Sequence, residues 1–306
     1  MPIDQRFLDA LKDHDFDDIF GQEEAKLALK STLLVGRNVI IVGPPGVGKT
    51  TLARNVARLL PKRKGQPFVR VQGSPDLMAE DLIGDIDPVK ALEFGPLSIE
   101  AFTPGKIFKA DGGVLFFDEI NRCSEKLQNA LLQVLEERKA TVGSYDVDLD
   151  ADFLFIGTMN PEDSSTEKLS DVFLDRFDLV TMGYPETESV ESAIVAAKSQ
   201  RLDGVDFPTG LEHGVVRFVR LLREDRNIEK KPSVRATLGI IARAQARCLL
   251  RGGKRVTSED VAAVVVSVLS HRVRLKPSVK YLEDIEQYVT EKFAEFSADN
   301  ALGGDG

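Results

Sequence analysis

Eight residues, GPPGVGKT (43–50), constrain this chain more than any other stretch. They fit the pattern Gly, four residues, Gly, Lys, then Ser or Thr. An apolar run, NVIIV (38–42), precedes them and TLARNVARLL (51–60) follows with helical spacing. The loop therefore joins a buried strand to the start of a helix. Glycines let the backbone curl so that its N–H groups face an anion at the positive end of the helix. Gly43, Pro44, Pro45, Gly46, Val47, Gly48 and Thr51 would form the cradle. Lys49 is suited to reach the β- and γ-phosphates of a nucleotide, and the Thr50 hydroxyl is suited to hold Mg²⁺.

Two further apolar runs end in polar residues of matching chemistry. GGVLFFDEIN (112–121) delivers Asp118 and Glu119 at the C-terminal end of a strand, where open α/β sheets bind ligands. Asp118 suits the outer shell of Mg²⁺, which keeps several waters. Glu119 suits a group that polarises the attacking water. FLFIGTMNPED (153–163) ends in Asn160, whose amide both donates and accepts and can hold a water. Taken alone, Asn160 reads as a turn residue before Pro161. Beside the other two motifs, it reads as part of a phosphate site.

FLDRFDLV (173–180) sets Arg176 between Asp175 and Asp178 in an otherwise apolar run. An unpartnered buried guanidinium is costly. Either the two aspartates pair with Arg176, or it meets an anion that this chain does not itself carry.

Composition narrows the class. The chain has 306 residues, 42% hydrophobic and 29% charged, which suits a globular protein with room for two domains. Its longest aliphatic stretch, VAAVVVSVL (261–269), is too short to cross a bilayer. The acidic start lacks the basic-then-apolar order of a secretory signal. Two cysteines, Cys123 and Cys248, supply neither a disulfide framework nor zinc spacing. These features favour the cytoplasm. A net charge of −9 argues against a nonspecific nucleic-acid binder. The charge is polarised, however: His213–Arg255 holds twelve Lys or Arg against three Asp or Glu, about +9, leaving −18 elsewhere.

Along the first part of the chain, β-type runs alternate with helical patterns. NVIIV, PFVRV (67–71), VLFF (114–117), FLFIG (153–157) and LVTMGY (179–184) are the candidate strands. Their near-continuous apolarity predicts a parallel sheet buried on both faces. SEKLQNALLQVLEER (124–138) is the clearest helix. Leu127, Ala130, Leu131, Val134 and Leu135 fall at three- and four-residue spacing, and Ser124 stands as N-cap. After Pro185 the pattern turns wholly helical, and Thr257 and Asp260 have capping-box spacing. A domain boundary is expected near Pro185, dividing 1–185 from 186–306. Residues 297–306, small, polar and glycine-rich, read as an unstructured tail.

Together these residues resemble an AAA+ ATPase. GPPGVGKT is similar to its Walker A motif, VLFFDE to Walker B and GTMN to its first sensor. LDRFD is similar to its arginine-finger segment, and PSVRAT (232–237) to the start of its second-sensor helix. Within that family, GSPDLMAEDLIGDID and FTPGKIFKADGGVLFFDEINR most resemble the MoxR group and the magnesium-chelatase ATPase subunits. The fold implied is α/β: a five-stranded parallel sheet with helices on both faces, followed by a smaller C-terminal helical lid. Two β-hairpin insertions are implied as well, at about 85–106 and 138–152. The stretch SSTEKLSDVF (164–173) lacks the proline- and glutamate-bearing phrase usual in MoxR proteins.

The resemblance further implies a ring, expected to be hexameric, with ATP and Mg²⁺ between subunits. Phe20 and Gly21, in DIFGQ, would line the adenine pocket. Lys49, Thr50, Asp118, Glu119 and Asn160 would act on nucleotide in their own subunit, Arg176 on the neighbour's, and Arg235 as the second sensor. The function implied is a MoxR-type ATPase that remodels or matures a client protein, or inserts a metal cofactor into it. The motor subunit of a metal chelatase is the alternative, and a nucleotide-binding scaffold without turnover ranks below both. Either motor is expected to work with a separate von Willebrand A domain protein.

Overall fold

The structure is a computed structural model that describes residues 5–61, 67–96, 98–137, 139–141, 148–150, 152–161, 169–281 and 283–300. Two compact units emerge. Residues 1–44 and 48–182 form the first, and residues 45–47 and 183–306 the second.

The first unit is built on five strands: β1 (Val39–Val42), β2 (Phe68–Gln72), β3 (Val114–Asp118), β4 (Leu154–Met159) and β5 (Asp178–Thr181). They lie in the order β2-β3-β4-β1-β5, and every pairing is parallel. Parallel neighbours require crossovers, and the crossover helices cover the sheet. Lys49–Leu59 packs on β3 and β4, and Glu23–Leu34 on β1 and β5. Strands covered this way must be apolar throughout. Accordingly Val39, Ile40, Ile41 and Val114 through Phe117 are all fully buried. The five apolar runs of the sequence are these five strands, with ends shifted by at most three residues.

The Glu125–Glu137 helix buries Leu127, Leu131, Val134 and Leu135, the face its periodicity predicts. Ser124 caps its start by accepting from the Leu127 N–H at 3.4 Å. Two antiparallel hairpins branch from the unit. Gly84–Ile86 pairs with Phe102–Pro104, and Lys139–Thr141 with Asp148–Asp150. Between the arms of the first hairpin, the Pro88–Phe94 helix starts on an Asp87 cap and buries none of its residues.

The second unit packs helices Glu188–Lys198, Thr209–Glu224, Val234–Leu250, Ser258–Leu269 and Ile285–Asn300 around one apolar core. Thr257 and Asp260 form the capping box that their spacing predicts. The unit is not wholly helical, which corrects the sequence reading. Ile228–Lys230 pairs antiparallel with Arg274–Leu275. Both strands are very short, and Ile228 and Leu275 carry them into the core. The Ile285–Asn300 helix continues through residues 297–300, where the sequence suggests an unstructured tail. Residues 301–306 lie outside the described residues.

A small part of the basic excess in 213–255 is offset within this unit, where four arginines share two carboxylates. Arg220 and Arg223 pair with Glu191, and Arg247 and Arg251 pair with Asp260. Of these four, Arg220 and Arg223 are drawn away from the surface, while Arg247 and Arg251 stay exposed on it.

Candidate phosphate site of the α/β unit

GPPGVGKT leaves the end of β1 and enters the Lys49–Leu59 helix. Gly46 (φ 81°) and Gly48 (φ 102°) have left-handed backbone, which side-chain-bearing residues rarely adopt. This curl lets the loop fold back before the helix starts. No backbone hydrogen bond from the N–H of Gly46, Val47 or Gly48 is found among the described residues, so these donors suit an anion at a helix start. The Lys49 ammonium donates to the carbonyls of Gly43 (2.6 Å) and Pro44 (2.9 Å), which holds it across the loop. Ile19 of the DIFG segment lies beside this helix start: its Cδ1 would be 3.2 Å from a Cβ at Gly48. The segment containing Phe20 and Gly21 is thus carried to the loop, and both residues are half-buried.

Asp118 closes β3 and Glu119 follows it in left-handed backbone (φ 55°, ψ 50°). A non-glycine residue held there costs about 1–3 kcal/mol, and such strain gathers at functional positions. The conformation is stabilised from next door. Thr158 of β4, fully buried, donates to Asp118 Oδ1 at 2.6 Å and accepts from the Glu119 N–H at 3.0 Å. On the other side, Arg70 Nη2 of β2 donates to Asp118 Oδ2 (2.6 Å) and to Gln72 Oε1 (3.0 Å). Gln72 Nε2 then donates to Glu119 Oε2 (2.9 Å), and Arg122 approaches the same oxygen at 3.2 Å. The Asp118 carboxylate is therefore oriented from β2 and β4, and that of Glu119 from β2 and from Arg122 in the turn that follows. Gly73 is required for that approach, because a Cβ on it would run into the Glu119 carbonyl.

Asn160 follows β4, and its carbonyl accepts from Asn121 Nδ2 at 3.3 Å. Asn121 itself is buried, and its Oδ1 has no partner among the described residues. The DEIN and GTMN segments are thereby joined. Residues 162–168, which include half of the departure from the MoxR pattern, lie outside the described residues.

Arg176 occupies the turn between the Asp171–Leu174 helix and β5. Neither Asp175 nor Asp178 pairs with it among the described residues, which corrects the local-pairing alternative. Asp178 accepts from Arg37 Nε at 2.8 Å and Thr32 Oγ1 at 3.2 Å. Arg176 donates instead to the Glu136 carboxylate and, at 2.6 Å, to the Val172 carbonyl. Arg235, in the second unit, lies exposed in the first turn of the Val234–Leu250 helix.

The structure thus gathers Asp118 and Glu119, links the Asn160 segment to them, and places DIFG against the loop's helix. Sequence reasoning missed Arg70, Gln72, Thr158 and Glu136. Arg70 and Gln72 did leave a signal: polar residues at i and i+2 alternate with buried Val69 and Val71 at a strand's C-terminal end.

These residues fit Mg²⁺ and a nucleoside triphosphate. The loop offers curled backbone amides and a lysine. Thr50 offers one hydroxyl, and Asp118 offers a carboxylate oriented by Thr158. No group of three or more His, Cys, Asp or Glu side chains able to hold a metal is found among the described residues.

Comparison with known proteins shows the family to which the chain is related. Residues 38–177 match the AAA domain of the dynein-related subfamily, and residues 221–291 match an AAA lid domain. The chaperone MoxR1 of Mycobacterium tuberculosis is 30% identical over 84% of this chain and 73% of its own length. The chloroplastic magnesium-chelatase subunit ChlI of Glycine max is 27% identical over 92% of this chain and 79% of its own. A structure of the Thermotoga maritima RuvB Holliday junction branch migration motor shares the fold. Its TM-score is 0.52, with 21% identity over 85% of this chain and 74% of that one. Homologues of the MoxR and chelatase kind support ATP-hydrolysing activity in general. No helix among the described residues is long and apolar enough to cross a membrane. The chain belongs to the AAA+ ATPases, in the group of the MoxR chaperones and the magnesium-chelatase ATPase subunits.

Proposed function

We propose that this chain is a MoxR-type motor that hydrolyses ATP in a ring, expected to be hexameric, and uses the cycle to remodel or mature a client protein. The observation that carries the reading is the Asp118–Glu119 pair, held at the sheet's C-terminal edge by Thr158, Arg70 and Gln72. The MoxR1 relative, a chaperone by name, supports the client half of the reading. A chelatase motor stands as the second reading, because the ChlI relative covers 92% of this chain. Metal insertion stimulated by adding the chain to a chelatase partner would favour that second reading. A separate von Willebrand A domain protein is the partner expected in either case.

The work divides by residue. Phe20 and Gly21 line the base, and the loop amides with Lys49 and Thr51 bind phosphate oxygens. Thr50 would hold Mg²⁺ through its hydroxyl, and Asp118 would help hold it through water. Bound Mg²⁺·ATP supplies the transferable phosphoryl group and the charge that offsets its oxygens. Glu119 orients the attacking water and accepts its proton, while Asn160 fixes that water's position. Arg176 reaches the neighbouring subunit's phosphates, and Arg235 senses the nucleotide from the helical unit.

The experiment uses the assembled chain with ATP and Mg²⁺. Glu119→Gln should bind ATP and lose turnover by about 10²–10⁴-fold. Arg176→Ala should bind ATP and lose about 10³-fold. Mixing the two variants should restore turnover, since a mixed interface can take its glutamate and its arginine from different chains. Ring assembly without restoration would place Arg176 outside the neighbour's site.

A further inference from the structure

Arg176 meets a carboxylate that its own segment does not supply. Its Nε donates to Glu136, forty positions earlier, and its Nη1 donates to the Val172 carbonyl at 2.6 Å. Asp178, two residues away, is committed to Arg37 and Thr32. No hydrogen bond from Arg176 Nη2 is found among the described residues. The guanidinium is therefore fixed along one edge, and its remaining nitrogen is left for another acceptor. A cavity of about 300 Å³ adjoins the pair, and Arg37, Asn38, Glu136, Asp175 and Arg176 are among its lining residues.

Glu136 is poorly explained by the stability of its own helix. It stands in the last turn of Glu125–Glu137, which holds no basic residue. A carboxylate there faces the negative end of the helix dipole. The ion pair does not repair that at a useful level. Side chains that are 53% and 37% exposed contribute about 0–1 kcal/mol when paired. What the pair does supply is direction. A guanidinium has three nitrogens, and restraining two of them leaves little rotational freedom for the third.

We infer that Glu136 is a positioning residue for Arg176: it holds the guanidinium by Nε and leaves Nη2 to engage an anionic phosphate oxygen. This rests on the reading of Arg176 as the residue that enters a neighbour's site. Glu136 acts only through the arginine.

Steady-state ATP hydrolysis by the assembled chain tests the inference. Glu136→Ala should lower kcat about ten- to a hundredfold with KM for ATP unchanged, the scale expected when a reacting group is misplaced. Glu136→Gln keeps the shape and one acceptor for Nε, and should fall between Glu136→Ala and the parent. In an Arg176→Ala background, Glu136→Ala should cause no further loss. Mixing Glu136→Ala with Glu119→Gln subunits should recover turnover, because the defect lies on the arginine-donating side. Parent-like kcat for Glu136→Ala, with Arg176→Ala inactive, would overturn the inference and leave the arginine's role intact. A further loss in the Arg176→Ala background would overturn it as well, by showing that Glu136 acts independently. If Arg176→Ala itself turned over like the parent, both readings would fall. Should Glu136→Ala not fold, Glu136→Gln alone decides by the same criteria.

Discussion

Glu119 in the α/β unit and Glu191 in the helical unit both meet arginine, yet their surroundings differ. The Glu119 side chain is 33% exposed, reached by Arg122 at 3.2 Å and by the Gln72 amide. Glu191 is fully buried. Its oxygens accept from Arg223 at 2.5 and 2.7 Å, from Thr237 at 3.0 Å and from Arg220 at 3.5 Å. Arg223 also donates to the Pro232 carbonyl at 2.7 Å, and Arg220 to that of Pro185 at 2.8 Å. The Glu191 cluster thus ties the start of the helical unit to the residues just before Arg235. One carboxylate is held so that it stays reachable, and the other so that nothing around it moves. Water access decides which: polar contacts exchange readily when half-exposed and become a structural commitment when dry.

This contrast can be broken by substitution. Glu191→Ala strands the Arg223 guanidinium, whose side chain is 7% exposed. It should destabilise the chain by about 3–5 kcal/mol in denaturant melts. Arg122→Ala at the exposed pair should cost no more than about 1 kcal/mol. Equal losses at the two sites would erase the distinction. Thr158→Val is intermediate. It leaves Asp118 Oδ1 and the Glu119 N–H without their shared partner, so about 1–3 kcal/mol of stability should go. ATP turnover should fall with it, because Glu119 loses one support for its backbone conformation. Unchanged turnover would show that Arg70 and Gln72 suffice.

A further effect concerns acid. In the helical unit, the Arg251 guanidinium holds the Asp260 carboxyl down to about 2, from an ordinary value of 3.8. A lowered carboxyl value adds stability at pH above 3.8, and that contribution is lost as pH falls from about 4 towards 2. Asp260→Asn should flatten this part of the stability–pH curve. An identical slope in the variant would mean that other carboxyls govern acid unfolding.

The strands of the α/β sheet are legible in the sequence because each is buried on both faces and must be apolar throughout. The Glu125–Glu137 helix and the Thr257–Asp260 cap are legible because their determinants lie within a few residues of each other. What escapes depends on distant pairing. The two short strands at 228–230 and 274–275 are too brief to show alternation. Thr158 looks like any strand residue until β3 is placed beside β4. The sequence offers Asp175 and Asp178 as partners for Arg176, whereas a helix forty residues upstream supplies the partner. Local spacing locates the reactive groups, and the supports that aim them come from the tertiary fold.

The Pro88–Phe94 helix has no buried residue, and Leu92 on it is 90% exposed. A segment that adds nothing to either core is a spectator to folding. Its side chains can be exchanged wholesale at little cost to stability, so drift or an engineer can rewrite that surface while the sheet and its loop stay as they are.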